Sequence, residues 1–423
     1  MGNTLAQKII ARTSGRSSVS VGEVVICEPD VIETIDLVMP HYIKTLAEHG
    51  VHRFRYPERI VVFADHEVPS QSPATAMMKK RLPRQLEELG VRHFYSEGRH
   101  GISHQAIIEH GHVLPGMLVT GPDTHITTLG CVGALSVPLN YEAVQAMATG
   151  EMWLRVPETI RIELSGVPPP GVMSRDVAQW IIHRLGAELC DYRVLEYGGP
   201  AFAALDMDFR MTLCNVAIDV GAKAALVEPD EVTAAYLRSR TTAVLDMIRS
   251  DADAEYALVF RQDLADFEPM VAAPPSPDNV VPVSQVAGVK VDQVYIGSCA
   301  GGRLEDLRAA AGVLRGRKVH PRVRMLVIPT SQEIFANAAR EGLLEVFVDA
   351  GAIVNSPSCG PCYGNLAPLV EGDVCIGTGT TNSPGRMGST GASIYLSNAI
   401  TASVAAVAGE ICDPRVFFAR GEL

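Results

Sequence analysis

The stretch VDQVYIGSCAGGRLEDLRAAAGVLRG, residues 291–316, begins as an alternating apolar run, breaks at paired glycines and continues with helical spacing. It predicts a strand over VDQVYIGS and a helix over LEDLRAAAGVLRG. The change recurs downstream. VRMLVIPTS (323–331) predicts a strand and QEIFANAAREGLLEVFVDAG (332–351) one helix. AIVNSPS (352–358) is extended, EGDVCIGTG (371–379) a further strand, and ASIYLSNAITASVAAVAGEI (392–411) a closing helix. Such alternation implies an α/β fold with a mostly parallel sheet and helices on its faces. Ligands of such sheets bind beyond the carboxyl ends of the strands. Cys299 ends one strand, Cys359 follows another and the TTNSPGR loop (380–386) follows a third, so all three are expected at one edge.

The region before this unit has the same rhythm. RIVVFADHEVP (59–69) and PGMLVTGPDTH (115–125) each read as a strand running into a polar loop. PETIRIELSG (157–166) is a third strand, VPPPG (167–171) a rigid turn, and SRDVAQWIIHRLG (174–186) a helix with Ser174 as its cap. Asp65-His66 and Asp123-Thr124-His125 both fall just past strand ends, where a strand interior has no use for them. Residues 265–288 carry five prolines and little periodicity, and read as a linker. The expected division is therefore 1–280 and 281–423.

Bulk properties narrow the function. The 423 residues are 47% hydrophobic and 20% charged, with a formal net charge of −12. That is the balance of a globular protein rather than of a broadly nucleic-acid-binding one. No apolar run reaches the ~20 residues that a membrane helix needs. The first residues carry Lys8, Arg12 and Arg16 and no acid before Glu23, which weakly resembles a transit peptide; Leu5, Ile9 and Ile10 instead mark one face of a first helix. Nine cysteines, an odd number in a long chain, do not form a secreted disulfide framework, and a reducing cytoplasm is expected.

SCGPCYGN (358–365) fits three chemistries. A thioredoxin centre needs a helix after the second cysteine, but Gly364 and Pro368 follow Cys362 closely. A structural zinc site needs four closed ligands, usually two such pairs, and there is one. Cys299 with Cys359 and Cys362 makes three thiolates. Three suit a four-iron cluster with one open iron, able to act as a Lewis acid on a hydroxyl and a carboxylate.

Long motifs in order carry a resemblance over nearly the whole chain: AQKIIARTSGR (6–16), FADHEVPSQS (63–72), GISHQAIIEHGHVLPG (101–116), GPDTHITTLGCVGAL (121–135), MATGEMWLRVPETIRIEL (147–164), MTLCNVAIDVGA (211–222), YIGSCAGGRLEDLRAA (295–310), CGPCYG (359–364) and NSPGRMGS (382–389). The chain resembles the isopropylmalate dehydratase large subunits of the aconitase and homoaconitase family. The resemblance implies three aconitase-like α/β domains around a central cluster site: two intertwined in 1–280 and one, carrying the cysteines, in 281–423. It implies a [4Fe-4S] cluster on Cys299, Cys359 and Cys362. Asp65, His66, His104, Asp123, His125 and Asp219 would be catalytic, and Asn215, Thr381 and Arg386 would face substrate. The reaction implied is reversible dehydration of a hydroxy dicarboxylic acid such as 3-isopropylmalate through a cis-alkene diacid, as in leucine biosynthesis. The family also needs a swivelling fourth domain, expected on a separate small subunit as partner.

The sequence departs from the family pattern at substrate-facing positions. Ala300-Gly301 replaces Thr-Asn after the first cysteine, Thr381 replaces an arginine, Asp219 a glutamate and Thr124 a serine. The cluster cysteines and Arg386 are kept. A different hydroxy acid, such as 2-methylmalate, 2,3-dimethylmalate or homoaconitate, is thus an alternative substrate. A cluster-based sensor and a catalytically silent scaffold subunit are the alternatives of another class.

Overall fold

The computed structural model describes residues 2–419. The chain divides into two compact units, Met1–Ser165 with Ala187–Gln262, and Gly166–Gly186 with Asp263–Leu423.

The first unit is built on a five-stranded parallel sheet in the order His93–Tyr95, Ile60–Phe63, Val31–Ile35, Leu118–Gly121, Leu135–Pro138. Ile60–Phe63 and Leu118–Gly121 are buried throughout, as strands covered on both faces must be. Ile32 and Val62 share a core with Leu5, Ile9 and Ile10 of the helix Leu5–Thr13. That helix is the one expected near the start. Thr4 caps it, its hydroxyl accepting from the Gln7 amide while the Gln7 side chain accepts from the Thr4 amide. A second sheet orders Ala224–Val227, Val194–Gly198, Thr159–Ser165 and Leu258–Asp263, and Val24–Cys27 pairs with Met152–Arg155. The strands expected around 60, 118 and 160 are all present.

The second unit holds a seven-stranded sheet in the order Val280–Pro282, Met270–Ala272, Ser393–Leu396, Val374–Gly377, Gln293–Ile296, Arg324–Val327, Ile353–Val354. The last five strands are parallel; Met270–Ala272 runs antiparallel to them, and Val280–Pro282 antiparallel to Met270–Ala272 in turn. Helices Leu304–Leu314 and Ala399–Ala408 bury Leu307, Ala311, Ala402 and Ala405 against Val294 and Ile376.

Four local readings differ. Residues 332–351 form two helices, Gln332–Arg340 and Leu343–Ala350, because Gly342 takes a left-handed conformation (φ 72°) between them. Residues 392–411 form a strand before the helix, since Ile394 and Leu396 alternate inward and the Asn398 side chain then caps the helix by accepting from the Thr401 amide. The proline-rich 265–288 is not a free linker: Met270, Val271 and Ala272 are buried in the edge strands. The turn before the helix Ser174–Cys190 is tied by Asp176 rather than Ser174. The Asp176 carboxylate accepts from the Met173 amide (2.7 Å), the Met270 amide (2.8 Å) and the Asn398 side chain (2.6 Å). Those bonds fasten 166–186 to the second unit, so the compact units do not split at 280/281.

Candidate functional site

In each parallel sheet the chain builds one strand, adds two on one side, then returns to add two on the other. In the first unit the reversal lies between Val31–Ile35 and Leu118–Gly121; in the second it lies between Gln293–Ile296 and Val374–Gly377. Such a switch point leaves a crevice beyond the carboxyl ends of the strands. The candidate residues of each unit collect at its own crevice.

In the first unit, Asp65 and His66 follow the strand Ile60–Phe63. Asp65 is fully buried; it accepts from the Ser103 amide (2.8 Å), and its other oxygen lies 3.2 Å from His66 Nδ1. Burial alone would lower His66, but the charge and hydrogen bond of Asp65, with Asp123 and Asp36 behind, push it up to about 9. Asp123 follows Leu118–Gly121 and caps the next turn, accepting from the His125 amide at 2.7 Å. Its Oδ1 lies 3.9 Å from Nδ1 of both His104 and His125. Burial would raise Asp123, yet His104, His125 and His66 outweigh it and hold the carboxyl below its usual range. His125 Nε2 in turn lies 3.5 Å from Asp219. Asn215 is fully buried and donates to the Thr128 hydroxyl (2.9 Å), which itself donates to the His125 carbonyl (2.7 Å). All seven candidates of this unit are therefore brought together.

The sequence reading passed over three residues here. Glu33 sits in mid-strand and Asp36 just past it, both fully buried. Lys79 lies 3.2 Å from Asp36. The visible signal was an acid inside the otherwise apolar and β-branched VIETI, which a strand buried on both faces does not ordinarily hold.

In the second unit, Cys299 follows Gln293–Ile296, just after Ser298, whose φ of 70° is unusual for a residue with a side chain. Cys359 precedes, and Cys362 lies within, a single 3-10 turn, Gly360–Tyr363, and not the start of a long helix. Cys299 and Cys362 are buried and Cys359 is half-buried. The hydrogen bond from Cys359 is the main cause that holds the Cys362 thiol well below its usual range; burial opposes it, and Arg386 and the Thr380 amide and hydroxyl assist. The Thr380 hydroxyl is 3.5 Å from the sulfur. Burial would lower Arg386, but charge on Cys362, Cys359 and Cys299 raises it. Burial pushes the Tyr295 phenol up, and the same three sulfurs add to it. One guanidinium and one phenol thus sense all three thiols. Among the described residues no three His, Cys, Asp or Glu side chains form a cage for a single metal ion.

Thr381 stands at the same strand end, its hydroxyl 3.1 Å from that of Ser383. The buried Arg175 donates to the neighbouring Thr380 carbonyl (3.4 Å), so a guanidinium lies beside the position that lacks one. Gly301 has no room for a side chain: a Cβ there would fall 2.3 Å from Thr378 Cβ. Thr378 occupies that space and ties the loop, donating to the carbonyls of Gly297 (2.8 Å) and Gly301 (3.0 Å).

Comparison with known proteins gives the family. The model of the Aconitase family (aconitate hydratase) matches residues 7–289 and 284–409. The chain belongs to the aconitase family. It is 42% identical over 99% of its length to the "3-isopropylmalate dehydratase large subunit 1" of Methanopyrus kandleri, all of which is covered. It is 43% identical over 98% to the "Probable 3-isopropylmalate dehydratase large subunit" of Methanothermobacter thermautotrophicus, 99% of which is covered. It is 39% identical over 98% to the "3-isopropylmalate dehydratase large subunit" of a Sulfurihydrogenibium species, 96% of which is covered. The family of hydro-lyases and the aconitase-like α/β fold expected from the motifs are thus those found. No helix among the described residues is long and apolar enough to cross a membrane.

Proposed function

We propose that the chain is the large subunit of an iron–sulfur hydro-lyase that reversibly dehydrates a hydroxy dicarboxylic acid of the 3-isopropylmalate type. The observation that carries this reading is the convergence of Cys299, Cys359 and Cys362 on Tyr295 and Arg386 at a switch point. The donor set fits a cluster. Cys362 is held toward the thiolate, the form that ligates metal, and Arg386 offsets the charge of three sulfurs. A [4Fe-4S] cluster with one open iron, when bound, supplies a Lewis acid for the substrate's hydroxyl and carboxylate.

The chain's own residues supply the rest. Arg386 grips a substrate carboxylate through a charge-assisted pair. Asp65 engages His66 at Nδ1, which leaves Nε2 as the atom that gives a proton to the departing hydroxyl. Asp123 fixes His104 and His125, and Asp219 and Asn215 hold the far side of His125 and its loop. The base that removes the carbon-bound proton comes from a small subunit carrying the swivelling domain, a partner supported by the "large subunit" in the relatives' names. Because Thr381 replaces an arginine while Arg175 lies beside it, a methyl-substituted malate remains the second substrate candidate. The cytoplasm is the proposed location.

The test begins with anaerobic purification and assay of iron and sulfide, beside Cys299→Ser. About four irons per chain, lost in the variant, support the cluster; a colourless wild-type chain overturns it. Turnover of 3-isopropylmalate or a methylmalate with the small subunit then identifies the substrate.

A further inference from the structure

Glu33 is the one acid of the first unit's switch-point strands that no motif explains. It lies within Val31–Ile35, every residue of which is buried, and is itself fully buried. Neither carboxyl oxygen meets a partner at full hydrogen-bond geometry among the described residues, although the Ser103 hydroxyl acts on it. Its place is nonetheless built. Gly121, on the strand across the switch point, leaves the space that the side chain fills: a Cβ at 121 would fall 2.4 Å from Glu33 Oε2 and 2.6 Å from its carbonyl. Gly121 is two residues before Asp123. An ionised carboxylate with no partner costs far more in such a place than a neutral one, so its survival here needs a use.

We propose that Glu33 is a positioning residue of this site, its uncharged carboxyl standing behind Asp65 and Asp123 without adding a further negative charge to the crevice. The groups that act on it come from every neighbouring element: Asp123 from the loop after 118–121, Asp65 and His66 from the loop after 60–63, and Ser103 from the helix Ser103–Glu109. Tyr42, on the helix Met39–Glu48, senses it as well. Burial is the main cause that holds its carboxyl well above the usual range, and the charge of Asp123 and then Asp65 adds to this against the opposing Ser103 and His66. With Glu33 neutral, no further charge joins the carboxylates of Asp65, Asp123, Asp219 and Asp36 that face His66, His104 and His125. The balance of charge around His66, the group proposed to release a proton to the departing hydroxyl, is then set by Asp65, Asp123 and Asp36 alone. Glutamine in place of Glu33 keeps the shape and a donor; leucine keeps neither.

The inference rests on the acid–base reading of this crevice, so the deciding experiment needs no substrate. The full chain, labelled in its histidines, is titrated by NMR as wild type, Glu33→Gln and Glu33→Leu. A neutral Glu33 predicts that E33Q leaves the proton affinity of His66 within about threefold of wild type. A charged Glu33 predicts a fall of about tenfold or more, the effect of removing a nearby opposite charge, and that result overturns the proposal. With the cluster and small subunit present, E33Q is expected to keep kcat within about threefold, and E33L to lose kcat while KM holds. Equal loss of kcat in both variants, with His66 unchanged, assigns Glu33 a purely structural role and also overturns it. Should E33L not fold, E33Q decides alone. Failure of the acid–base reading shows differently: His66→Asn then leaves turnover intact whatever Glu33 does.

Discussion

The two units share a strand order at their parallel sheets yet put different chemistry at the crevice. In the first, Asp65, His66, His104, Asp123, His125 and Asp219 bring carboxylates within 3.2–3.9 Å of imidazoles. In the second, three thiols share one crevice with Arg386 and Tyr295. The topology decides where side chains gather; the residue types decide what they do there. The first set is suited to holding and moving protons, the second to soft metal ligation. Variants that disable one set should leave the measurable signature of the other.

The largest effect is expected from Cys362→Ser. If Cys362 holds the proposed cluster, its loss removes the Lewis acid, several kcal/mol of transition-state stabilisation, or about a thousandfold or more in turnover. Iron content should fall with activity, while the NMR titration of His66 stays at its wild-type position. A shifted His66 would break the separation. Arg386→Gln comes next. Loss of a charge-assisted carboxylate contact costs roughly 1.5–3 kcal/mol, about tenfold to a hundredfold in kcat/KM. Iron should remain, because arginine is not a ligand; iron loss would assign Arg386 to holding the thiolates.

Asp65→Asn tests the first set. His66 is pushed up to about 9 in the folded chain against an ordinary value near 6.5. Its stabilising contribution is full below about pH 6.5 and is lost as pH rises through about 9, on the order of 3 kcal/mol in all. In D65N the decline of stability between those pH values should flatten, and the alkaline limit of turnover should move down by about one to two pH units. Denaturant melts at pH 6 and 9.5, beside pH–rate profiles, measure both. An unchanged alkaline limit removes His66 from the reaction.

Much of this was legible in the sequence, for a physical reason. Strands buried on both faces leave a continuous apolar signal, so Ile60–Phe63, Leu118–Gly121 and Gln293–Ile296 could be read directly, and with them the residues just beyond their ends. What escaped was non-local. Asp176 looks like an ordinary first-turn acid, yet its bonds to Met270 and Asn398 decide which unit owns 166–186. The prolines of 265–288 suggest a linker, but Met270–Ala272 pairs as an antiparallel strand against Ser393–Leu396. Glu33 and Gly121 are distant in sequence, and only pairing of their strands across the switch point makes the glycine's missing side chain meaningful.

The smallest expected effect, and the finest test of the second unit, is Thr381→Arg. Position 381 is half-buried, its hydroxyl meets only that of Ser383 among the hydrogen bonds described for it, and Arg175 approaches the adjacent carbonyl. A guanidinium there would be a third cation on an edge that already has two. If residue 381 faces substrate, the variant should shift the ratio of kcat/KM between 3-isopropylmalate and 2-methylmalate by up to about tenfold, the worth of one charged hydrogen bond. Iron content and the His66 titration should not move. A ratio that stays constant would place Thr381 outside the substrate's reach and leave Arg386 and Arg175 to set the carboxylate contact. A changed ratio with lower iron would mean instead that the added charge disturbs the thiolates, and the second unit's crevice would then be tuned for its cysteines before its substrate.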